Sequence, residues 1–230
     1  MASEASDPRS HRERRAALRP ASRVGAAAFA AGVLVSSVLS SVDANVGGAT
    51  LAVVDARGRP VPDAAVWLEP LDAKSAGAAA AAARTASIAQ REKRFDPTLT
   101  VVQSGTAVSF PNEDTVRHHV YSFSPAKTFE LKLYAGRPPS PVVFEKAGTV
   151  VLGCNIHDRM VAWVQVVDTP WFGRSDESGR ARIAGVPPGE YRLRAFHPEQ
   201  LDAPPERRVR IGADETVAVA IELRPGAGRP

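Results

Sequence analysis

Residues 148–168 read GTVVLGCNIHDRMVAWVQVVD, and the fold turns on them. Val150 and Leu152 alternate before the middle of the stretch, and Val161 and Trp163 alternate after it. A period of two with β-branched and aromatic residues marks half-buried strands. Cys154-Asn155-Ile156-His157-Asp158-Arg159-Met160 lies between them as a tight loop, with Cys154 closing one strand and Met160 opening the next. The chain has one Cys and, apart from Met1, one Met, so its two rarest side chains bracket a histidine.

The same pattern extends in both directions. Leu99-Val101, Val108-Phe110, Phe129-Leu131-Leu133 and Val142-Phe144 alternate before the loop. Ile183, Tyr191-Leu193, Val209-Ile211 and Val217-Val219-Ile221-Leu223 continue the pattern after it. Residues 46–72 read as two short strands, Leu51-Val53 and Val66-Leu68, around the break Arg57-Gly58-Arg59-Pro60. Nineteen Pro and 17 Gly in 230 residues favour short strands and turns, and 44% hydrophobic residues suffice for a core. The expectation is an all-β chain, a sandwich or barrel. The Ala-rich run 73–89 has no apolar stripe to anchor a helix and reads as a linker.

The sequence pI near 9.6 raises nucleic acid as a partner, but half of the net charge of +4 lies in residues 1–44. Elsewhere Lys and Arg are scattered among acids with no basic stripe, so no nucleic-acid role is expected. Arg9, Arg12, Arg14, Arg15, Arg19 and Arg23 precede an uncharged run from Val24 to Val42, and Val42-Asp43-Ala44 offers small residues for cleavage. Residues 1–44 therefore read as a signal peptide, with an uncleaved anchor as the alternative, and the protein as exported or periplasmic. Beyond that leader no membrane contact is expected.

One Cys in an exported chain has no internal disulfide partner, so its thiol needs another use. A thiolate, two imidazoles and a thioether form a soft donor set that suits copper, and a His₂Cys plane with a weak Met marks an electron-transfer site. Cys154, His157 and Met160 come from the loop; the second histidine comes from a neighbouring strand, where His118 and His119 are adjacent.

The stretch from about Phe95 to Asp168 resembles the cupredoxins, the plastocyanin and amicyanin family. The resemblance rests on Phe110-Pro111-Asn112, then His118-His119-Val120, then the Cys154–Met160 loop of amicyanin-like spacing. It also resembles exported cupredoxin-like chains called methylamine utilization proteins. It implies a type 1 copper site of His118, Cys154, His157 and Met160, with one copper ion and with His157 nearest the surface. Arg117 and Ile156 stand where the family commonly has Pro. The flanks GRPVPDAAVWL (58–68) and DESGRARIAGVPPGEYRLRAFHP (176–198) resemble a carboxypeptidase-regulatory-like, transthyretin-like β-domain.

Together these give a Greek-key cupredoxin sandwich over 90–168 and a second small transthyretin-like or Ig-like sandwich. The second would be discontinuous, from 46–72 plus 169–224, with the copper unit inserted; two consecutive units are the alternative. The implied function is one-electron transfer with a transient redox partner, a cytochrome or quinoprotein dehydrogenase, by a monomer that is not an enzyme. The competing readings are a copper carrier without electron transfer and a non-redox structural or carbohydrate-binding module. Trp163 is expected in the core and Trp171 at the domain junction, while His197 reads as structural.

Overall fold

The computed structural model describes residues 48–71, 84–138, 140–200, 202, 206–212 and 215–220. The expected leader (1–44), most of the Ala-rich run and the last expected strand residues, 221–224, lie outside them.

The described chain is all-β, with no helix. Its strands are β1 (Ala49–Val54), β2 (Ala65–Pro70), β3 (Thr85–Ser87), β4 (Ala89–Arg91), β5 (Arg94–Asp96) and β6 (Leu99–Gln103). Next come β7 (Thr106–Ser109), β8 (His118–Ser124), β9 (Lys127–Tyr134), β10 (Val142–Phe144), β11 (Gly148–Cys154) and β12 (Val161–Val167). The last are β13 (Phe172–Arg174), β14 (Arg180–Ile183), β15 (Gly189–Phe196), β16 (Arg207–Ile211) and β17 (Glu215–Ala220).

They build two sandwiches, each around its own core. In the first, the sheet β14-β1-β17 faces the sheet β13-β2-β15-β16. Leu51, Val53, Ala181 and Ile183 from one sheet meet Val66, Leu68, Tyr191 and Ile211 from the other, all buried. The expected strands of residues 46–72 exist but do not pair with each other: β1 pairs with β14 and β17, and β2 with β13 and β15. Asp55 turns the chain between them, its Oδ1 accepting from the N–H of Arg57 and of Arg59 at 2.8 and 2.9 Å.

In the second sandwich, β10-β7-β3 covers β6-β12-β11-β8-β9. Val108 and Phe144 on the smaller sheet pack with Val120, Val150, Leu152, Ala162 and Val164 on the larger. This core draws only on residues 88–166, whereas the first draws on residues before and after that span. Arg174 ties the two together, donating from Nη1 to Leu99 O at 3.2 Å.

Three expectations change. The Ala-rich run does not stay a connector to its end: Thr85–Ser87 pair in parallel with β7, and Ile88 and Ala89 are buried. Trp163 is only half-buried, because Ala162 and Val164 take the inward positions of β12. Trp171 sits inside the first core, its ring edge-on to Tyr191 and its Nε1 donating to Gly185 O at 2.9 Å.

Candidate metal centre

The alternation of β11 sends Val150, Leu152 and Cys154 inward, so the thiol ends its strand inside the core at 3% exposure. Cys154 pairs with Val120 on β8, where the same period points His118, Val120 and Ser122 inward. His118 is fully buried. His119 therefore faces the other way, its Nε2 2.9 Å from Glu130 Oε1 on β9. Strand alternation selects between the adjacent histidines.

Loop residues 155–159 carry His157 back to the same place. Met160 N donates to His157 O at 2.9 Å, which closes the turn that carries the ring. His118 Nδ1 lies 3.8 Å and His157 Nδ1 4.0 Å from Cys154 Sγ, and the three donor atoms fall within 4.8 Å of one another. The two rings are 5.0 Å apart at 59°. Met160, 1% exposed, packs in the same core as Cys154. Ile156 is about half exposed beside them, and Asp158 and Arg159 face solvent.

The donors fit a metal ion. Bonds of about 2.3 Å to a thiolate and about 2.0–2.1 Å to an imidazole, at trigonal or tetrahedral angles, separate those two atoms by about 3.5–3.8 Å. The observed separations lie at or just above that value, and both imidazoles present the same nitrogen to the sulfur. Two nitrogens and a thiolate, with a thioether close by in the chain, favour copper over harder ions.

Sequence reasoning missed the residues that hold His118. Its Nε2 lies 2.8 Å from Asp114 Oδ2, so the carboxylate takes the proton-bearing nitrogen and leaves Nδ1 turned toward Cys154. Burial opposes ionisation of Asp114. Hydrogen bonds from Lys93 N–H, His118 and Glu92 N–H outweigh it and hold the carboxyl below its usual range. Asn112 closes the same loop, with Nδ2 donating to Val116 O at 2.8 Å and Tyr134 O at 3.0 Å, and Oδ1 accepting from Asp114 N at 3.0 Å. Beneath it, Tyr134 OH donates to Phe110 O at 2.6 Å and accepts from Gln90 Nε2 at 2.6 Å. Burial pushes the Tyr134 phenol up to about 12, opposed by the Gln90 bond and assisted by Cys154. The sole sequence signal for Asp114 was an acid four residues ahead of a histidine, a common occurrence in loops.

Gly153 leaves room for the Tyr121 ring. A Cβ there would lie 2.7 Å from Tyr121 Cζ, because that ring covers the peptide next to Cys154.

No family model matches the chain, and no curated protein matches it. Among solved structures, it is similar to a purple cupredoxin from Nitrosopumilus maritimus, at 23% identity and TM-score 0.32 over 36% of this chain and 99% of that one. It is also similar to amicyanin from Paracoccus versutus, at 16% identity and TM-score 0.31 over 40% and 89%. A third similarity is to the copper-containing nitrite reductase of Thermus scotoductus SA-01, at 22% identity and TM-score 0.34 over 43% of this chain. There the chain spans 27% of the reductase's length.

Proposed function

We propose that this protein is an exported, periplasmic electron carrier whose cupredoxin-like sandwich holds one copper ion. The observation that carries the reading is the convergence of His118 Nδ1, Cys154 Sγ and His157 Nδ1 within 4.8 Å at one end of a β-core. Copper bound there would supply a one-electron couple. Cys154 offers the thiolate, His118 and His157 the imidazoles, and Met160 the thioether. Asp114 holds the His118 ring, and the turn at Met160 N holds the loop, so the donors need little rearrangement on a change of charge. Burial of Cys154 and His118 keeps water from competing and favours a resident ion over a transported one.

His157 is the donor nearest the surface, with Ile156 exposed beside it, and this edge is where we place a transient redox partner such as a cytochrome or quinoprotein dehydrogenase. With all four side chains engaged no position is left for a substrate, and we read the protein as a monomeric carrier, not an enzyme. The first sandwich, whose sequence resembles a carboxypeptidase-regulatory-like domain at residues 58–68 and 176–198, is read as its structural neighbour. Voltammetry of the copper-loaded protein tests the function. A reversible one-electron wave, lost on chelation, is expected; bound copper without such a wave would contradict it.

A further inference from the structure

Asp114 connects His118 to a hairpin that belongs to neither large sheet. β4 and β5 pair as Ala89↔Asp96, Gln90↔Phe95 and Arg91↔Arg94, which leaves Glu92 and Lys93 as a two-residue turn. Both have positive φ, 50° and 58°. A turn of this kind suits Asn-Gly; Glu and Lys enter the left-handed region against the steric preference of a Cβ. That conformation aims both peptide N–H groups at one carboxylate. Glu92 N donates to Asp114 Oδ1 at 2.7 Å and Lys93 N to Asp114 Oδ2 at 2.9 Å, the oxygen that also faces His118 Nε2.

The hairpin is fixed to the ligand loop independently of this turn. Gln90 N donates to Pro111 O at 2.9 Å, Glu113 N donates to Gln90 O at 3.0 Å, and Arg91 pairs with Glu113. A rigid arm thus reaches from the strand edge to the outer nitrogen of a buried imidazole.

We propose that the Glu92–Lys93 turn is a positioning element for His118, acting through Asp114. Its two peptide groups fix the carboxylate's rotation. The carboxylate in turn fixes the ring and keeps its proton on Nε2, so that Nδ1 stays open toward Cys154. This rests on the reading of His118, Cys154 and His157 as a copper site. Asp114 on its own would leave the ring free to follow a carboxylate that rotates; the turn removes that freedom.

The test compares three full-length proteins in the metal-free and Cu(II)-loaded states. They are the wild type, a Glu92→Asn/Lys93→Gly variant that keeps the turn conformation, and one with two glycines inserted between 92 and 93. Imidazole ¹⁵N shifts of His118 report the tautomer without metal, and competition with a chelator reports copper affinity. The Asn-Gly variant should match the wild type. The insertion should give mixed tautomers and bind copper about 10- to 100-fold more weakly, the loss typical of an outer partner of a metal-bound histidine. An insertion variant that folds yet keeps one tautomer and full affinity overturns the proposal.

Should the insertion not fold, hydrogen exchange decides. Slow exchange at the amides of Glu92 and Lys93, made fast in Asp114→Ala while Gln90 stays protected, supports the proposal, and fast exchange in the wild type overturns it. A wild type that binds no copper would sink the copper reading alone, since the tautomer and exchange results still judge the turn.

Discussion

The two sandwiches use buried polar groups differently. In the one built from residues 49–70 and 169–220, such groups close the backbone where it turns. Ser175 accepts from Ala64 N at 2.9 Å and donates to Val61 O at 2.8 Å, Asp55 gathers the Arg57–Arg59 turn, and Thr169 accepts from Trp171 N at 3.2 Å. In the other, Gln90, Asn112, His118 and Cys154 are buried around one end of the sheet and reach each other through Asp114, Tyr134 and the Phe110–His118 loop. A buried polar group needs a partner to offset its lost hydration. In the first sandwich these bonds close turns; in the second, bonds to the backbone of the Phe110–His118 loop also set the place of Asp114 and His118, beside a thiol and a second imidazole.

The paired histidines give the largest expected effect. His118→Ala should abolish the copper chromophore, and His119→Ala, whose ring faces Glu130, should leave it in place. If both variants kept the visible spectrum, the strand alternation would not be what selects the ligand.

Core truncations come next. Leu51→Ala and Leu152→Ala each remove a fully buried side chain, at a cost of about 2–5 kcal/mol in denaturant unfolding. Only Leu152→Ala should also weaken copper binding, because Leu152 shares a core with Cys154 and Met160 while Leu51 does not. Equal effects on copper would mean that the two cores act as one.

Gly153→Ala should have a smaller effect. Tyr121 is half-buried and can swing away from the new methyl group, so about 1 kcal/mol is expected. The displaced ring should alter its contact with Phe123, 5.1 Å away, visible in the aromatic NMR shifts.

The smallest effect is acid sensitivity in the first sandwich. The N–H of Arg59 donates to the Asp55 carboxyl and outweighs desolvation, with further help from the Arg59 guanidinium and Arg57 N–H. The carboxyl therefore sits below its usual range in the fold. Its contribution is complete above the unfolded value of about 3.9 and is lost as pH falls through the folded one. Asp55→Asn should flatten the acid limb of the stability curve below about pH 4; an unchanged limb would remove Asp55 from that account.

Much of this contrast was legible in the sequence. Val150-Leu152 and Leu51-Val53 announced strands by their period, and Cys154, His157 and Met160 stood out as rare donors at loop spacing. Asp114, Gln90 and Tyr134 were not legible, since common residue types acquire their roles only when distant backbone segments meet. The β4–β5 turn hid for a related reason: Glu92-Lys93 has no turn signature, and a positive φ leaves no trace in composition. β3 was concealed at the end of an Ala-rich run whose composition pointed to a linker.

Visible absorption and EPR spectra of the Cu(II)-loaded protein beside Cys154→Ser decide whether Cys154 binds copper. An intense blue thiolate charge-transfer band with narrow copper hyperfine splitting, lost in the variant, is the expected result. A spectrum without that band, or one that the variant retains, would contradict it.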